Sequence, residues 1–512
     1  MIFFTNHHQR WLYNEKEKHM KLVYKKSTNL FLLIFLVIST VIAQSQEKKT
    51  NGEIEILIST FLGNESRNYY GNEAPGKLDT IWKIYLGEGV SPAYGKEKVW
   101  KGAGWTGQPL LVRENGELFL IQGAFDYNLK KINAKSGEII WQYKFDDIIK
   151  GTPTIWQNKK AKKPENEYII IQGSRFGYWN SLEDKYIPSF RAVSYFTGKE
   201  LWRLNVKRTD SYSRDVDGSA LVINDTAYLA LENGIFTVFD PNPIHQTMLD
   251  GKKQPKVYQE IQYYTKKDIE LHGNDLVSES SPTLLNGRIY TLSGTGRIYG
   301  YNIKTRKNDW EFYIGTDMNG SAPSTDDGCL LIPVEKQYMP GPGGVMKIDP
   351  SKHENERVVW FYPTRNKKWY HWEGGIIGSV ACNDNYVSGN EKHFAVFLDV
   401  TGELTVVDHQ STEKNKMVLG PDSITKYPTP KLIDKVQIPG TISTPIMVKD
   451  KIIACTDDGI FLYRLIKTQK NKFELKLLDK VGELEIDATP IVWDGRVYIA
   501  VRDGYMYCFG DL

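Results

Sequence analysis

The chain has 512 residues, a formal net charge of +3, 43 glycines and 12% aromatic residues. So balanced a charge provides no polyanion-binding surface, which sets nucleic acid aside as a partner, and the aromatic, turn-rich composition favours an all-β protein over a helical one. This length usually means several domains; the exception is a ring of small repeated sheets, which grows by adding units.

Residues 1–19 show no folding or targeting logic and read as an upstream extension. From Met20 the chain has the parts of a secretory signal peptide: Lys21, Lys25 and Lys26, an apolar run over 30–38, then Val41, Ile42 and Ala43 before a cleavage point. The run is too short for a permanent membrane span, and no cysteine stands near the cleavage point to carry a lipid. Residues 20–43 are therefore expected to be a signal peptide, with Met20 the initiator. Residues 44–77 are expected to be a polar, extended lead-in whose removal is mild, and 78–512 the folded domain.

A strand over 79–86 carries Trp82 but has no partner strands before it. The clearest repeat is 280–310. Its strands fall at 282–285, 288–292 and 297–302, with a fourth carrying Trp310, and Asn286 and Gly287 make the hairpin turn between the first two. The small-small-Pro opening recurs at 107–109, 151–153, 281–282, 321–323, 443–445 and 488–490; residues 218–220 and 378–380 give the same opening without proline. The fourth-strand phrase recurs as Asn133, Gly137 and Trp141 and as Ser194, Gly198 and Trp202. It appears without the glycine over 302–310 and with an insertion over 349–360. So small a sheet cannot bury both faces alone, and repeats at this period mean stacked copies. The unit opening at 488 lacks a closing strand, and 79–86 supplies one, which closes the ring and removes its edges. The expected fold is an all-β, eight-bladed β-propeller of four-stranded antiparallel blades, closed by an N-terminal strand.

The phrase Asx-x-x-Thr/Ser-Gly-x-x-x-Trp, ending a repeat that opens Ser-x-Pro, resembles the tryptophan-docking repeat of PQQ-type (quinoprotein-like) β-propellers over about residues 79–509. The resemblance implies the fold and assigns Trp82, Trp141, Trp202, Trp310 and Trp360 to structure. It implies no single chemistry, since that family holds quinone-dependent dehydrogenases and non-enzymatic scaffolds alike.

Long loops at 172–188, 203–217, 267–279, 334–344 and 361–377 all belong to one rim, and insertions on one face of a repeat array mark its binding face. Insertions at 242–256 and 409–430 belong to the other. Just before the eight openings stand Thr106, Lys150, Asp217, Glu279, Asn319, Ile377, Ile442 and Asp487. Asp217, Glu279 and Asn319 are hard oxygen donors suited to calcium. The family's enzymes hold Ca²⁺ beside the quinone with the same residue types in another order, so the residues do not map one to one. The structural alternative is that these groups cap inner-strand turns. Arg175, Tyr212 and Arg214 are candidates to orient a polar ligand, Arg214 as an anion-binding fork. Trp369, His371 and Trp372 can stack a flat ring or pack their loop onto the rim. Cys329, Cys382, Cys455 and Cys508 form no metal or haem motif and read as apolar fillers.

Three functions fit these features. The first is an exported binding or scaffold propeller, periplasmic or outer-membrane associated, holding a protein partner or a small polar ligand at the channel mouth; it resembles the propeller lipoprotein of the outer-membrane assembly machinery. The second is a PQQ- and calcium-dependent dehydrogenase of alcohols or sugars, and the third a carbohydrate-binding propeller. The missing vicinal disulfide and haem module weigh against the enzyme. Export has its own test: N-terminal sequencing of exported protein should find a start just after Ala43, and material still carrying Met1 or Met20 would overturn the signal peptide.

Overall fold

The small-residue openings seat inner strands side by side around a channel. In the computed structural model, which describes residues 53–512 apart from Tyr94, Asn390 and Asn471, eight antiparallel sheets form a closed ring, a β-propeller. The repeat at 280–310 is blade four: Thr283–Leu285 lines the channel, followed outward by Arg288–Leu292, Arg297–Asn302 and Lys307–Tyr313. Blade eight joins both ends of the chain, with Asp79–Tyr85 pairing antiparallel to Tyr505–Gly510 outside Arg496–Ala500 and Ile491–Trp493. Two blades are irregular. Blade five reduces its inner strand to a single bridge between Ser324 and Leu330, and blade six extends its outer pair, Glu403–Leu419 and Lys426–Gln437, into a long hairpin.

The core lies between blades rather than within them. Each of the eight buried apolar clusters takes residues from at least two neighbouring blades. Leu110, Ile121 and Leu129 of blade one meet Ile170 and Val193 of blade two, and Ile446 and Leu462 of blade seven meet Val497 and Phe509 of blade eight. The four cysteines are buried and unbridged.

Two sets of hydrogen bonds fix these seams. On the channel side, the opening residue of one blade donates its backbone N–H to a hydroxyl of the next: Ser219 to Ser281 Oγ at 2.9 Å, Ser281 to Ser321 Oγ at 2.8 Å, Ser321 to Ser379 Oγ at 2.9 Å and Ser379 to Thr444 Oγ1 at 2.8 Å. On the outside, indole Nε1 groups donate to backbone carbonyls of the next blade. Trp82 reaches Ala134 at 3.1 Å, Trp141 reaches Tyr195 at 3.0 Å, Trp202 reaches Pro241 at 2.9 Å, Trp310 reaches Pro350 at 3.1 Å and Trp360 reaches His409 at 2.9 Å. The glycine of the repeated phrase makes room for this dock. At Gly198, with φ +64°, a Cβ would stand 3.0 Å from the Trp141 ring, and at Gly137, with φ +77°, 3.2 Å from Trp82. Glycine alone tolerates both the backbone and the approach.

The segment expected to be a dispensable lead-in is instead built into the ring. Ile54–Ile58 adds a fifth strand to blade one, pairing with the inner strand Leu110–Glu114. Residues 59–78 then cross the channel at the end away from the long loops. There the inner strands have backbone groups with no partner on the channel side, and burying such groups unpaired is costly. Ile155, Leu284, Ser324 and Val492 donate their N–H groups to the carbonyls of Ser59, Glu65, Ser66 and Tyr70 at 2.8–3.0 Å, and Cys382 donates to the Tyr70 hydroxyl at 3.0 Å. Arg67, fully buried, donates to the carbonyls of Pro282 at 2.8 Å, Phe61 at 2.8 Å and Ser219 at 3.4 Å. Lys451 reaches back to the carbonyls of Ala74 and Pro75 at 2.7 and 2.8 Å. The sequence signal misled because polar residues in 59–78 satisfy strand ends rather than water.

No helix among the described residues is long and apolar enough to cross a membrane. Deleting residues 53–77 should be severe. It removes Phe61, Leu62 and Tyr70, all at most 1% exposed, together with their packing against blades seven and eight, and loss of one such buried side chain costs roughly 2–5 kcal/mol. Thermal melts of chains starting at residue 53 and at residue 78 check this; equal melting temperatures would show that the channel segment adds nothing to the ring.

Candidate functional site

On the long-loop rim the channel opens into a cavity of about 750 Å³. Of the eight residues that stand just before the openings, six reach this cavity. Lys150, Glu279, Asn319, Ile377, Ile442 and Asp487 line the cavity, while Thr106 and Asp217 are buried just behind it.

Carboxylates dominate the side formed by blades three to five. Asp217, Glu232 and Glu279 bring ligand atoms within 4.8 Å of one another, and the Lys150 ammonium rests on Asp217 and stands 4.0 Å from Asp215. Burial pulls this ammonium down, but Asp217, Glu232 and Asp215 outweigh it and its pKa lies above the usual lysine value. Burial raises Asp217 in spite of Lys150, and raises Glu232 strongly with added repulsion from Asp217. Asn319 does not join this group; its Nδ2 donates to Glu335 Oε2 at 2.7 Å. Glu335 stands with Asp317 and Asp275, and burial and mutual repulsion push Glu335 and Asp317 well above the carboxylate range. The short helix Lys266–His272, capped by Thr265 and Asp268, leads into Asp275. Tyr338 packs edge-on against His272 at 4.9 Å and donates its hydroxyl to Asp275 Oδ2 at 2.7 Å.

Aromatic side chains form another part of the wall. Trp369 and Trp372 stack at 5.5 Å between ring centroids, and their backbones exchange hydrogen bonds of 2.9 and 3.1 Å. His371 lies 3.9 Å from Trp372, and burial together with the charges of Lys368 and Lys98 holds its pKa below the usual imidazole value. All three side chains line the cavity, as does Tyr212. The two candidate arginines do not. Arg214 is fully buried and donates to the carbonyls of Val206, Leu182 and Asp184 at 2.6–2.8 Å. Arg175 is bound to Asp215 at 2.9 Å, to Ser91 Oγ and to the Pro92 carbonyl at 2.5 Å. Both side chains are held by the scaffold, and Nη2 of Arg214 is buried without a hydrogen-bond partner.

Sequence reasoning missed a hairpin, Glu88–Ala93 with Lys96–Lys101, which Tyr127 ties to the rim at Val90 and which brings Lys98 and Trp100 to the cavity. It also missed Glu232 and Glu335, which follow the second strands of blades three and five and so occupy comparable places.

Away from the cavity, Asp384 Oδ1 accepts from His409 Nε2 and His393 Nδ1, both at 2.9 Å. This cluster has metal-ligand residue types, but the Lys347 ammonium stands 3.2 Å from His409 Nδ1. A donor there leaves the proton on Nε2, facing Asp384, where a metal would need a lone pair. It is a structural network.

No family model matches the chain. A probable alpha-mannosidase of Arabidopsis thaliana is 22% identical over 173 residues, which are 29% of this chain and only 17% of that protein. Among solved structures, BamB from Moraxella catarrhalis aligns over 85% of this chain and 100% of its own, with a TM-score of 0.51 and 11% identity. Quinohemoprotein alcohol dehydrogenase from Comamonas testosteroni aligns over 88% and 80%, with a TM-score of 0.51 and 12% identity. This chain shares their propeller fold. At such identities the likeness extends to the fold alone.

Glu279 provides a test of the site's electrostatics. Burial, with further repulsion from Asp217 and Asp275 and partial relief from Lys150, raises its pKa from 4.5 to about 7. A carboxyl raised on folding binds its proton more tightly in the folded state, so it lowers stability as pH climbs from the unfolded value through the folded one. The melting temperature should therefore drop between pH 4.5 and 7, and Glu279→Gln should flatten that drop. Calorimetric melts across the window check this; identical slopes in the two proteins would clear Glu279 of the effect.

Proposed function

We propose that the chain is an exported binding propeller of the cell envelope that takes a small ligand or a partner's side chains into the long-loop mouth. The observation that supports this is the channel, filled by residues 59–78 at one end and opening at the other into a cavity walled by aromatics and carboxylates. A concave site of this size with a few converging polar groups is the usual form of a ligand pocket. Export rests on residues 20–43, which lie outside the described residues.

The dehydrogenase reading requires PQQ, a planar tricarboxylate, to find cations here. Lys150 is held by Asp217, Arg502 by Asp487 at 3.2 Å, and Lys336 by the carbonyls of Met339 and Gly341 at 3.3 and 3.0 Å. Lys98 lies over the Trp100 ring at 4.3 Å. Against them stands a surplus of buried carboxylates, so the residues present do not fit an anionic quinone. Asp217, Glu232 and Glu279 suit calcium by donor type, but the Lys150 ammonium already rests on Asp217. The stacked Trp369 and Trp372 keep a carbohydrate ligand as the second reading, since a sugar ring packs on such a platform.

Protein mixed with PQQ and Ca²⁺ is expected to show no bound-quinone absorption, no dye-linked oxidation of alcohols or sugars, and at most a small calcium-dependent rise in melting temperature. A quinone band with turnover that Glu279→Gln abolishes would overturn the binding reading in favour of the enzyme.

A further inference from the structure

The carboxylates of the mouth fall into two groups that differ in what neutralises them. The first, Asp217 with Glu232 and Glu279, has an internal guest, the Lys150 ammonium. The second, Asp275, Asp317 and Glu335, has only neutral partners, the Tyr338 hydroxyl and the Asn319 amide. Among the described residues, no lysine or arginine pairs with any of the three.

Asp317 is 7% exposed and lines the cavity, and its Oδ1 has no hydrogen-bond partner; neither does Oδ1 of Asp275. The two oxygens converge over Gly294. A Cβ on that glycine would stand 3.0 Å from Asp275 Oδ1, 3.2 Å from Asp317 Oδ1 and 3.3 Å from the Asp275 carbonyl oxygen. Three acceptors thus crowd the Cα of Gly294, with no lysine or arginine among them. A buried acceptor left without a donor costs about 1–3 kcal/mol, and more when charged, so such a cluster calls for a cation. Asp457 and Glu485 line the cavity from blades seven and eight, and the aromatic walls stand around the same space.

We infer that the mouth binds a linear diamine or polyamine. One ammonium sits on Asp275, Asp317 and Glu335, the methylene chain lies along Trp369, Trp372 and Tyr212, and a second ammonium is held near Asp457 and Glu485. This rests on the mouth being the binding site, as proposed above. An ammonium suits it better than a metal ion for three reasons. Its three N–H donors can be shared among Asp275, Asp317 and Glu335, which line one cavity. The neighbouring carboxylates already hold an ammonium in Lys150. A bare ion would leave the aromatic cavity unused, whereas an alkylammonium gains from the ring faces.

The test is isothermal titration calorimetry with cadaverine and spermidine, with 1,5-pentanediol as the neutral counterpart and CaCl₂ as the metal alone. All are run at about 0.15 M salt, where exposed charges are screened beyond ~8 Å. Wild type should bind both amines and not the diol. The double variant Asp275→Asn, Asp317→Asn should bind them at least tenfold more weakly. That variant should not melt below wild type, because it relieves repulsion rather than removing packing, so lost binding will not mean lost folding. Amine binding of equal strength in wild type and variant, or no amine binding at all, would overturn the inference. So would calcium binding that the variant loses while amines fail to bind. Hydrogen exchange separates this failure from that of the binding reading. If mannotriose protects residues 369–372 where amines do not, the mouth stands as a site and the amine falls.

Discussion

The seam between blades is what the rest of the molecule depends on. A four-stranded sheet has two faces to bury and no second layer of its own, and here each face is buried by a neighbour, so that all eight apolar clusters straddle at least two blades. Apolar contact alone would let blades slide. The hydroxyls at the inner openings and the indoles at the outer strands prevent this, because each is a directed bond from one blade to the backbone of the next. The two sets act at opposite ends of a blade and fix both its radial position and its tilt.

That registration creates the mouth. Openings held at one height bring the residues just before them to one height as well, whatever their chemistry. The ring thus gathers Glu279, Asn319 and Asp487 from widely separated parts of the chain. It also forces carboxylates together at a cost, visible in the raised protonation of Glu232, Asp317 and Glu335. A stable fold can carry such strain because the seams elsewhere are strongly favourable, and strain kept at a cavity is a mark of function.

The fold was legible because its determinants are local and repeated. Gly198 and Trp202 lie four residues apart, and the same phrase at Gly137 and Trp141 reveals the period. Closure was legible too, since 79–86 is a strand with no sequence-adjacent partner. The channel segment was not. Arg67 bonds Pro282 and Ser219, contacts across more than 150 positions that leave no periodic trace. The site was half legible for the same reason. Positions set by the repeat, such as Glu279 and Asn319, could be placed by counting. Arg214, next to carboxylates in sequence, looked like a ligand fork, yet its side chain turns away to backbone carbonyls at 2.6–2.8 Å. Counting gives the height of a residue in a blade and not the direction its side chain takes.

The sharing of blade eight between the two ends of the chain bears on the order of events during synthesis. The segment that fills the channel and the strand Asp79–Tyr85 are made first, yet the partners of that strand, Tyr505–Gly510, are made last. Gly76 likewise waits for Asp511, whose carboxylate accepts its N–H at 2.9 Å. Contacts of such sequence separation form slowly, since the intervening loop must be closed before they are rewarded. The opening segment of the domain therefore spends the whole of elongation without its final neighbours, with Phe61, Leu62 and Trp82 exposed. Apolar surface left open until distant partners are made is the kind that aggregates.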